Sequence, residues 1–232
     1  MSQENWYLKN KKRIMREINF AIPHYKKFIA HAYGMELANS VVAETIQRFE
    51  DLLPDIPFIG GDENFLTENL YLSAAMLAMY QSLKARGKSV EESARLIYLG
   101  TSAFYGSFPF RLLLRWPGRQ LFNRKRIEKR RREALISQQR RYPDDWVFEI
   151  VEGDGENFQF GVDYTECGIV KYLTREGAPE LVPYLCWLDY PMCEVMRVKL
   201  VRTETIAHGS DKCNFRFCRG QAVEVRPDFL KN

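Results

Sequence analysis

The chain has 232 residues, of which 46% are hydrophobic and 28% charged, a composition ordinary for a globular protein of one generous domain or two small ones. No run of eighteen apolar residues is present, which excludes a membrane-spanning helix. The first residues carry charges without a following apolar segment, so we expect no secretory signal and a cytoplasmic protein.

The formal net charge of +4 is unevenly spread along the chain. Residues 111–141 contain twelve Lys or Arg against Glu128 and Glu133, a local excess of +10 that leaves the rest of the chain at −6. This segment could be a patch for nucleic acid or an anionic membrane, or a solvated helix face with a few ion pairs. We favour the solvated face, because no Gly-rich loop or aromatic stacking platform accompanies the charges. The expected partner is therefore a small-molecule substrate, with no membrane, nucleic acid disfavoured, and a homo-oligomer left open.

The N-terminal part of the chain has the apolar spacing of helices. The predicted helices span residues 12–32, 35–53, 62–86 and 89–104. Pro23 is expected to bend or split the first, because proline removes a backbone donor. Asp62 is expected to cap the third, and Ser89 with Glu92 predicts a capping box on the fourth. Pro117-Gly118 predicts a break before a further helix over residues 119–140.

From residue 143 the pattern changes to alternating, β-rich runs. Strands are predicted over residues 146–151, 158–164, 199–207 and 212–219, and helices over 165–175 and 179–196. A hairpin joins the first two strands at a Gly-Asp-Gly turn, and Pro191 is a candidate break in the second helix. The order β-β-α-α-β-β after a helical half predicts an α+β fold with a small antiparallel sheet. We divide the chain into residues 1–142 and 143–232, expected to pack as one compact unit.

The five cysteines all lie in the C-terminal region. They are Cys167, Cys186, Cys193, Cys213 and Cys218. An odd number without a short secreted-type framework argues against paired disulfides, so we expect free thiols that are buried, reactive or metal-bound.

Three of these thiols lie beside other reactive groups. Cys167 follows Glu166 where a strand passes into a helix, and unpaired amides at a helix start would stabilise its thiolate, the condition for a nucleophilic cysteine. Cys186 and Asp189 are three residues apart, on one face of a helix. Cys213 begins the final strand just after a turn that carries His208. The strand end and this turn are expected to lie side by side.

Each of these residues also has a plainer interpretation. Cys186 has apolar neighbours typical of a core position, Asp189 could cap a helix, and His208 could be an ordinary loop residue. Cys193 and Cys218 look structural.

Zinc is a further alternative for this group of side chains. The ligands would be Cys167, Cys186 and Cys213 with Asp189 or His208. No C-x-x-C pair is present, and zinc ligands usually come in such pairs, so we expect no metal and no cofactor.

Three ordered motifs give the chain a resemblance to a known family. The segments GVDYTEC, APELVPYLCWLD and RTETIAHGSDKCNFRF resemble the L-2-amino-thiazoline-4-carboxylic acid hydrolase family of bacterial proteins. The last motif also resembles the end of the small-molecule-binding domains called 4-vinyl reductase domains. This sequence has Asn214 where the family commonly has an acid, and His208 stands at a variable position.

The resemblance implies hydrolysis of a five-membered cyclic amidine carboxylate, opened at the carbon between sulfur and nitrogen to give a carbamoyl-cysteine. Such a reaction needs a nucleophile or activated water, an acid for the leaving heteroatom and a cation for the carboxylate. The alternative is a non-catalytic small-molecule-binding domain of the 4-vinyl reductase type.

Roles can be assigned to the motif residues on this basis. Cys167 is the predicted nucleophile, Glu166 or Asp189 the acid or base, and Cys213 a second catalytic thiol. The predicted substrate-binding residues are Arg202, Cys186 and His208, with Arg202 suited to hold the substrate's carboxylate bidentately.

Overall fold

The computed structural model describes residues 5–220 and 227–230, whose contacts form two compact units. The first unit contains residues up to Phe104 together with Lys171–Leu185, and the second contains Tyr105–Val170 and the described residues from Cys186 onward. The predicted division at residue 142 stays a prediction. None of the described helices combines the length and the apolar character needed to cross a bilayer.

Helices build most of the first unit. They are α1 (Trp6–Lys9), α2 (Lys11–Tyr33), α3 (Met35–Leu52), α4 (Thr67–Lys84) and α5 (Val90–Gly106). Their apolar stripes form the core, with Ile14, Ile29, Phe49, Leu70, Leu77 and Leu83 fully buried. The capping box is confirmed, since the amide of Ser89 donates to Glu92 at 2.9 Å and the amide of Glu92 to the Ser89 hydroxyl at 3.1 Å.

One prediction about these helices is wrong, and another is wrong in part. Helix α2 passes through Pro23 without splitting, because its buried stripe from Ile14 to Ile29 is continuous across the proline, and the alternative of a bend at Pro23 stays a prediction. Asp62 caps no helix, since α4 begins at Thr67 and Gly61–Glu63 form a 3-10 turn. The carboxylate of Asp62 instead accepts hydrogen bonds from Trp6 and Arg13, partners from a distant part of the sequence.

The second unit opens with three short helices, α6 (Phe110–Leu113), α7 (Arg115–Gln120) and α8 (Arg124–Ser137). The predicted break at Pro117-Gly118 is wrong, because Pro117 lies in the first turn of α7, where no intrahelical donor is needed. The break falls instead before Asn123, whose side chain accepts from the amide of Lys125 and caps α8.

A four-stranded antiparallel sheet follows, which confirms the α+β fold. The strands β1 (Val147–Glu152), β2 (Phe160–Glu166), β3 (Val198–Val201) and β4 (Cys213–Arg219) lie in the order β1-β2-β4-β3. The predicted hairpin is present, and its turn is held by Asp154, whose carboxylate accepts the amides of Glu156, Asn157 and Phe158.

Helices α9 (Gly168–Arg175), α10 (Val182–Leu185) and α11 (Asp189–Met196) lie between β2 and β3 in sequence. The expected break at Pro191 is wrong: the helix is interrupted at the 3-10 turn Cys186–Leu188, and Pro191 lies in the first turn of α11. Strand β3 also ends sooner than predicted, because the side chain of Asn214 accepts the amides of Thr203 and Glu204.

Side-chain alternation gives the sheet one apolar and one polar face. Directly paired residues point to the same side, so the register puts a set of large apolar side chains together with one thiol. These are Phe148, Ile150, Phe160, Val162, Tyr164, Val198, Leu200, Cys213, Phe215 and Phe217. Cys218 lies on the opposite face, where its thiol donates to the carbonyl of Asn157 at 2.9 Å.

The polar face is organised by one buried carboxylate. Asp163 is only 3% exposed and pairs with Lys212 and Arg216, each at 2.5 Å. Burial raises the pKa of Asp163, but the hydrogen bonds from Arg216 and Lys212 outweigh it, and the pKa lies below its ordinary value. Asp163 is therefore charged in the folded protein and connects β2 to β4.

Asp163→Asn is expected to lower the free energy of unfolding by about 2–3 kcal/mol, less than at a fully buried pair because both cations reach solvent. Because the pKa is depressed on folding, this contribution is present above the unfolded pKa and is lost as pH falls through the folded pKa. Urea unfolding of both proteins near neutral pH and at about pH 2 checks this. Glu149→Gln is the matched control, since Glu149 is exposed and directly opposite Asp163 on β1. An equal loss of unfolding free energy in Asp163→Asn and Glu149→Gln would contradict this prediction.

Candidate functional site

The candidate site lies at one end of the apolar face of the sheet, within the second unit. Tyr164 near the end of β2 pairs with Cys213 at the start of β4, and Cys167 follows β2 directly. The charge of Cys213 acts on the pKa of Cys167, and Cys167 and Cys213 both act on Tyr164. The strand end and the final turn therefore lie side by side, as the sequence predicted.

Cys167 occupies the position just before α9, as predicted. Its sulfur accepts hydrogen bonds from the amides of Val170 and Ile169 and from the side chain of Trp146. A Cβ on Gly168 would lie 2.6 Å from the indole of Trp146, so only glycine lets this ring approach the turn. Burial nevertheless outweighs these hydrogen bonds and raises the pKa of Cys167 to about 11. The resting group is a thiol and needs a base.

Cys186 and Asp189 come from the 3-10 turn and the first residue of α11. Burial raises the pKa of Cys186, and the charges of Cys167, Asp189 and Cys213 add to the increase. Burial also raises the pKa of Asp189, against the opposing charge of Arg202. The Asp189 side chain is still 34% exposed. Asp189 is therefore partly reached by solvent although its surroundings disfavour its charge.

Arg202 lies behind Asp189, with its side chain only 4% exposed. One guanidinium nitrogen donates to the Asp189 carboxylate at 2.7 Å and the other to the carbonyl of Cys186. The guanidinium also lies 4.8 Å from the ring centroid of Phe215 and 5.4 Å from that of Tyr190. Burial disfavours its charge, but attraction to Asp189 and the other nearby groups outweighs burial and raises the pKa of Arg202. Its predicted role in holding a substrate carboxylate stays a prediction.

Glu166 and His208 lie beside this group and have other partners. The carboxylate of Glu166 pairs with Arg140 at 2.8 Å, whereas Asp189 is the carboxylate whose charge acts on Cys186, Cys213 and Tyr164. His208 is exposed, and its Nδ1 shares a 2.6 Å hydrogen bond with the hydroxyl of Thr205. The roles predicted for both residues stay predictions.

The backbone of the turn that carries His208 forms a hydrogen bond with Cys213, the second predicted catalytic thiol. The amide of Ile206 donates to the sulfur of Cys213 at 3.2 Å. Burial raises the pKa of Cys213, while this hydrogen bond and the charge of Arg202 act against the increase. Asn214 points to the other face and binds residues 203–204, which gives the residue in the family's acid position a structural role.

The sequence analysis missed the aromatic residues of the site. Tyr164 and Phe215 lie on the same face as Cys213, with ring centroids 5.3 Å apart, and strand alternation could have found them. Trp146 and Tyr190 give no such local signal, because their positions depend on how α9 and α11 pack.

The zinc alternative has no suitable arrangement of ligands in the part of the chain that is described. No three His, Cys, Asp or Glu side chains among residues 5–220 and 227–230 are placed to hold one metal ion.

Comparison with known families assigns the chain to one of them. The family model described as L-2-amino-thiazoline-4-carboxylic acid hydrolase matches residues 69–217, more than half of the chain. The chain belongs to this family. The match starts within α4 and ends within β4, so the L-2-amino-thiazoline-4-carboxylic acid hydrolase family shares part of the helical half as well as the three motifs. Searches of curated proteins and of solved structures gave no match.

Arg202→Gln is expected to lower the free energy of unfolding by about 2 kcal/mol, since it leaves the Asp189 charge desolvated but still reached by solvent. Arg202 stabilises the charged form of Asp189, so the loss should shrink as pH falls and Asp189 takes up a proton. The double variant Arg202→Gln with Asp189→Asn should recover part of the loss. Urea unfolding of both single variants and the double variant gives the coupling, and simple additivity would contradict the pairing.

Alkylation of Cys167 by iodoacetamide is expected to be slow near neutral pH and to rise about tenfold per pH unit, since only the thiolate reacts. Peptide mapping by mass spectrometry follows the rate at this cysteine, with Cys167→Ser as the control that lacks the labelled peptide. A rate that levels off below about pH 8 would show that the helix-start amides dominate over burial.

Proposed function

We propose that this protein hydrolyses a small cyclic amidine carboxylate of the 2-amino-thiazoline-4-carboxylate type to a carbamoyl-cysteine, with Cys167 as the nucleophile. One observation carries the proposal. Cys213 affects the pKa of Cys167, Asp189 affects the pKa of Cys186 and Cys213, and these residues come from three segments distant in sequence, with Cys213 paired to Tyr164 near the end of β2 that Cys167 follows. Membership of the family supports the choice of substrate class.

The first step forms a bond between the sulfur of Cys167 and the ring carbon that lies between the substrate's sulfur and nitrogen. The thiol proton passes to the carboxylate of Asp189, whose raised pKa suits it to accept and return a proton. The bond from that carbon to the ring sulfur then breaks, and Asp189 returns the proton to the leaving sulfur. The product of this step is an isothiourea joined to Cys167, with the ring open.

The second step releases the product with water. The water oxygen bonds to the same carbon, the bond to the Cys167 sulfur breaks, and one proton returns to that sulfur while the other goes to the imine nitrogen. The carbon becomes the carbonyl of a carbamoyl group, and Cys167 is a thiol again. Asp189 can assist this step as a general base for the water.

The high pKa of Cys167 fits this order of events. Amidines of this kind carry a proton near neutral pH, and a positive charge beside the thiol favours its thiolate. The nucleophile would thus be activated when substrate is bound and stay inert when it is absent. Arg202 holds Asp189 in place through its buried contact, which we propose as its main role.

Cys167→Ala and Cys167→Ser are expected to lower kcat for 2-amino-thiazoline-4-carboxylate by about a thousandfold or more, because the covalent route is lost. Product is measured as carbamoyl-cysteine by liquid chromatography with mass spectrometry. Cys218→Ala is the matched control, since Cys218 lies on the opposite face of the sheet, and it should keep kcat within about twofold. Unchanged turnover in Cys167→Ala would remove the nucleophile assignment.

A second candidate function is non-catalytic binding of a small organic molecule. The observation that favours it is the group of aromatic residues Tyr164, Tyr190 and Phe215 beside thiols whose pKa values are raised by burial, so that the thiols are protonated at rest. Thermal stabilisation by the cyclic amidine without any product, in the wild type as in Cys167→Ala, would select this function over hydrolysis.

A further inference from the structure

A surface of the second unit combines exposed apolar side chains with arginines. Four large apolar residues between residues 108 and 116 face solvent: Phe108 is 77% exposed, Leu112 48%, Leu113 62% and Trp116 61%. A single exposed apolar side chain is ordinary on a protein surface, but four within nine residues of chain mark an interaction site. We call these four residues, with Arg111, Arg115 and Arg119, the basic apolar surface.

The charge of this surface is not neutralised by nearby sequence. Residues 93–127 contain no Asp or Glu, while Arg111, Arg115 and Arg119 recur every four residues and Arg124, Lys125 and Arg126 follow. The pKa of Arg115 is lowered, first by the positive charge of Arg197 and then by desolvation and by Arg111 and Arg119. The buried Nε of Arg115 also has no hydrogen-bond partner. Crowded cations of this kind favour binding of an anionic partner.

The exposed face of α8 extends the same charge. Arg124, Lys125, Lys129 and Arg132 are exposed, and Arg126 lies over the ring of Trp116 at 5.0 Å, which connects α8 to the apolar residues. Leu135 and Ile136, at the end of the helix, are exposed as well. The surface thus mixes cations with Leu, Ile, Phe and Trp side chains over two consecutive parts of the chain.

We propose that the basic apolar surface docks the protein on the surface of an anionic lipid bilayer. Basic residues interleaved with Trp, Phe and Leu are what an interfacial segment uses: the cations attract lipid phosphates while the apolar side chains enter the boundary of the acyl region. The sequence analysis gave an anionic membrane as one interpretation of the basic segment and favoured a solvated helix face instead. The structure adds four exposed apolar side chains beside these charges, and their exposure depends on the fold.

Two other occupants fit the surface less well. In a symmetric dimer the same patch meets itself, so Arg111, Arg115 and Arg119 would face their own copies, and no carboxylate of the segment would compensate them. Single-stranded nucleic acid is held by bases that stack on aromatic rings, and Leu112 and Leu113, which lie between the arginines, cannot stack on bases in this way. Bilayer docking uses both the charge and the aliphatic side chains.

Sedimentation with lipid vesicles tests the proposal on the full chain and does not depend on hydrolase activity. Vesicles of phosphatidylcholine with about 30% phosphatidylglycerol should bind the protein, and binding should fall as salt rises from about 0.05 to 0.5 M. Vesicles of phosphatidylcholine alone should bind weakly. Equal sedimentation with and without anionic vesicles would overturn the proposal.

Two pairs of substitutions separate the charged from the apolar contribution. Arg111→Gln with Arg119→Gln should lower the partition coefficient about thirtyfold, and Leu113→Ser with Trp116→Ser about tenfold or more. The matched controls are Lys12→Gln with Arg16→Gln, and Met35→Ser, which change exposed residues of the same kinds in the first unit and should leave binding unchanged. Thermal melts by circular dichroism confirm that each variant is folded.

Two results would assign the surface to another partner and overturn the proposal. One is a dimer in light scattering without lipid that Leu113→Ser with Trp116→Ser converts to a monomer. The other is salt-dependent binding of a labelled single-stranded oligonucleotide that needs Arg111 and Arg119 but is insensitive to the Leu113 and Trp116 changes, with no vesicle binding.

Discussion

The contact of Arg202 with Asp189 is the constraint on which the candidate site depends. A carboxylate that is desolvated beside three thiols would take up a proton unless a cation were held close to it. Arg202 supplies that cation and is itself fixed by the carbonyl of Cys186 and the rings of Phe215 and Tyr190. One buried side chain thus connects the 3-10 turn, helix α11 and strand β4, and sets the charge of the group they surround.

The same balance of burial and charge keeps the thiols of the candidate site protonated when no ligand is bound. Desolvation raises the pKa of Cys167, Cys186 and Cys213, and the amides that face Cys167 and Cys213 oppose it without reversing it. A buried thiol resists alkylation and oxidation better than a thiolate, since the thiolate is the reactive form. A site of this kind can hold three cysteines close together without a disulfide, and all five cysteines in the structure are free.

Much of the fold could be read from local sequence patterns, and the failures have definite causes. The helices and the Ser89 capping box follow from periodicity and short-range hydrogen bonds, which depend on neighbouring residues. Asp62 and the end of β3 were misjudged because their hydrogen-bond partners, Trp6 and Asn214, come from elsewhere in the chain. The sequence predicts breaks at Pro117 and Pro191, whereas both prolines lie in the first turn of a helix, where a proline is tolerated. At the site, the position of Cys167 was predictable, but the pairing of Arg202 with Asp189 and the raised pKa values depend on tertiary packing.

Asp163 has a consequence for the site although it lies on the other face of the sheet. Its two cations, Lys212 and Arg216, flank the start of β4, and Lys212 immediately precedes Cys213. If β4 slid by one residue, every side chain would exchange faces, and Asn214 would stand beside Tyr164 in place of the thiol. Asp163 can form both pairs only in the observed alignment. A polar group on the opposite face of the sheet thus determines which of two adjacent residues, Cys213 or Asn214, lies beside Tyr164.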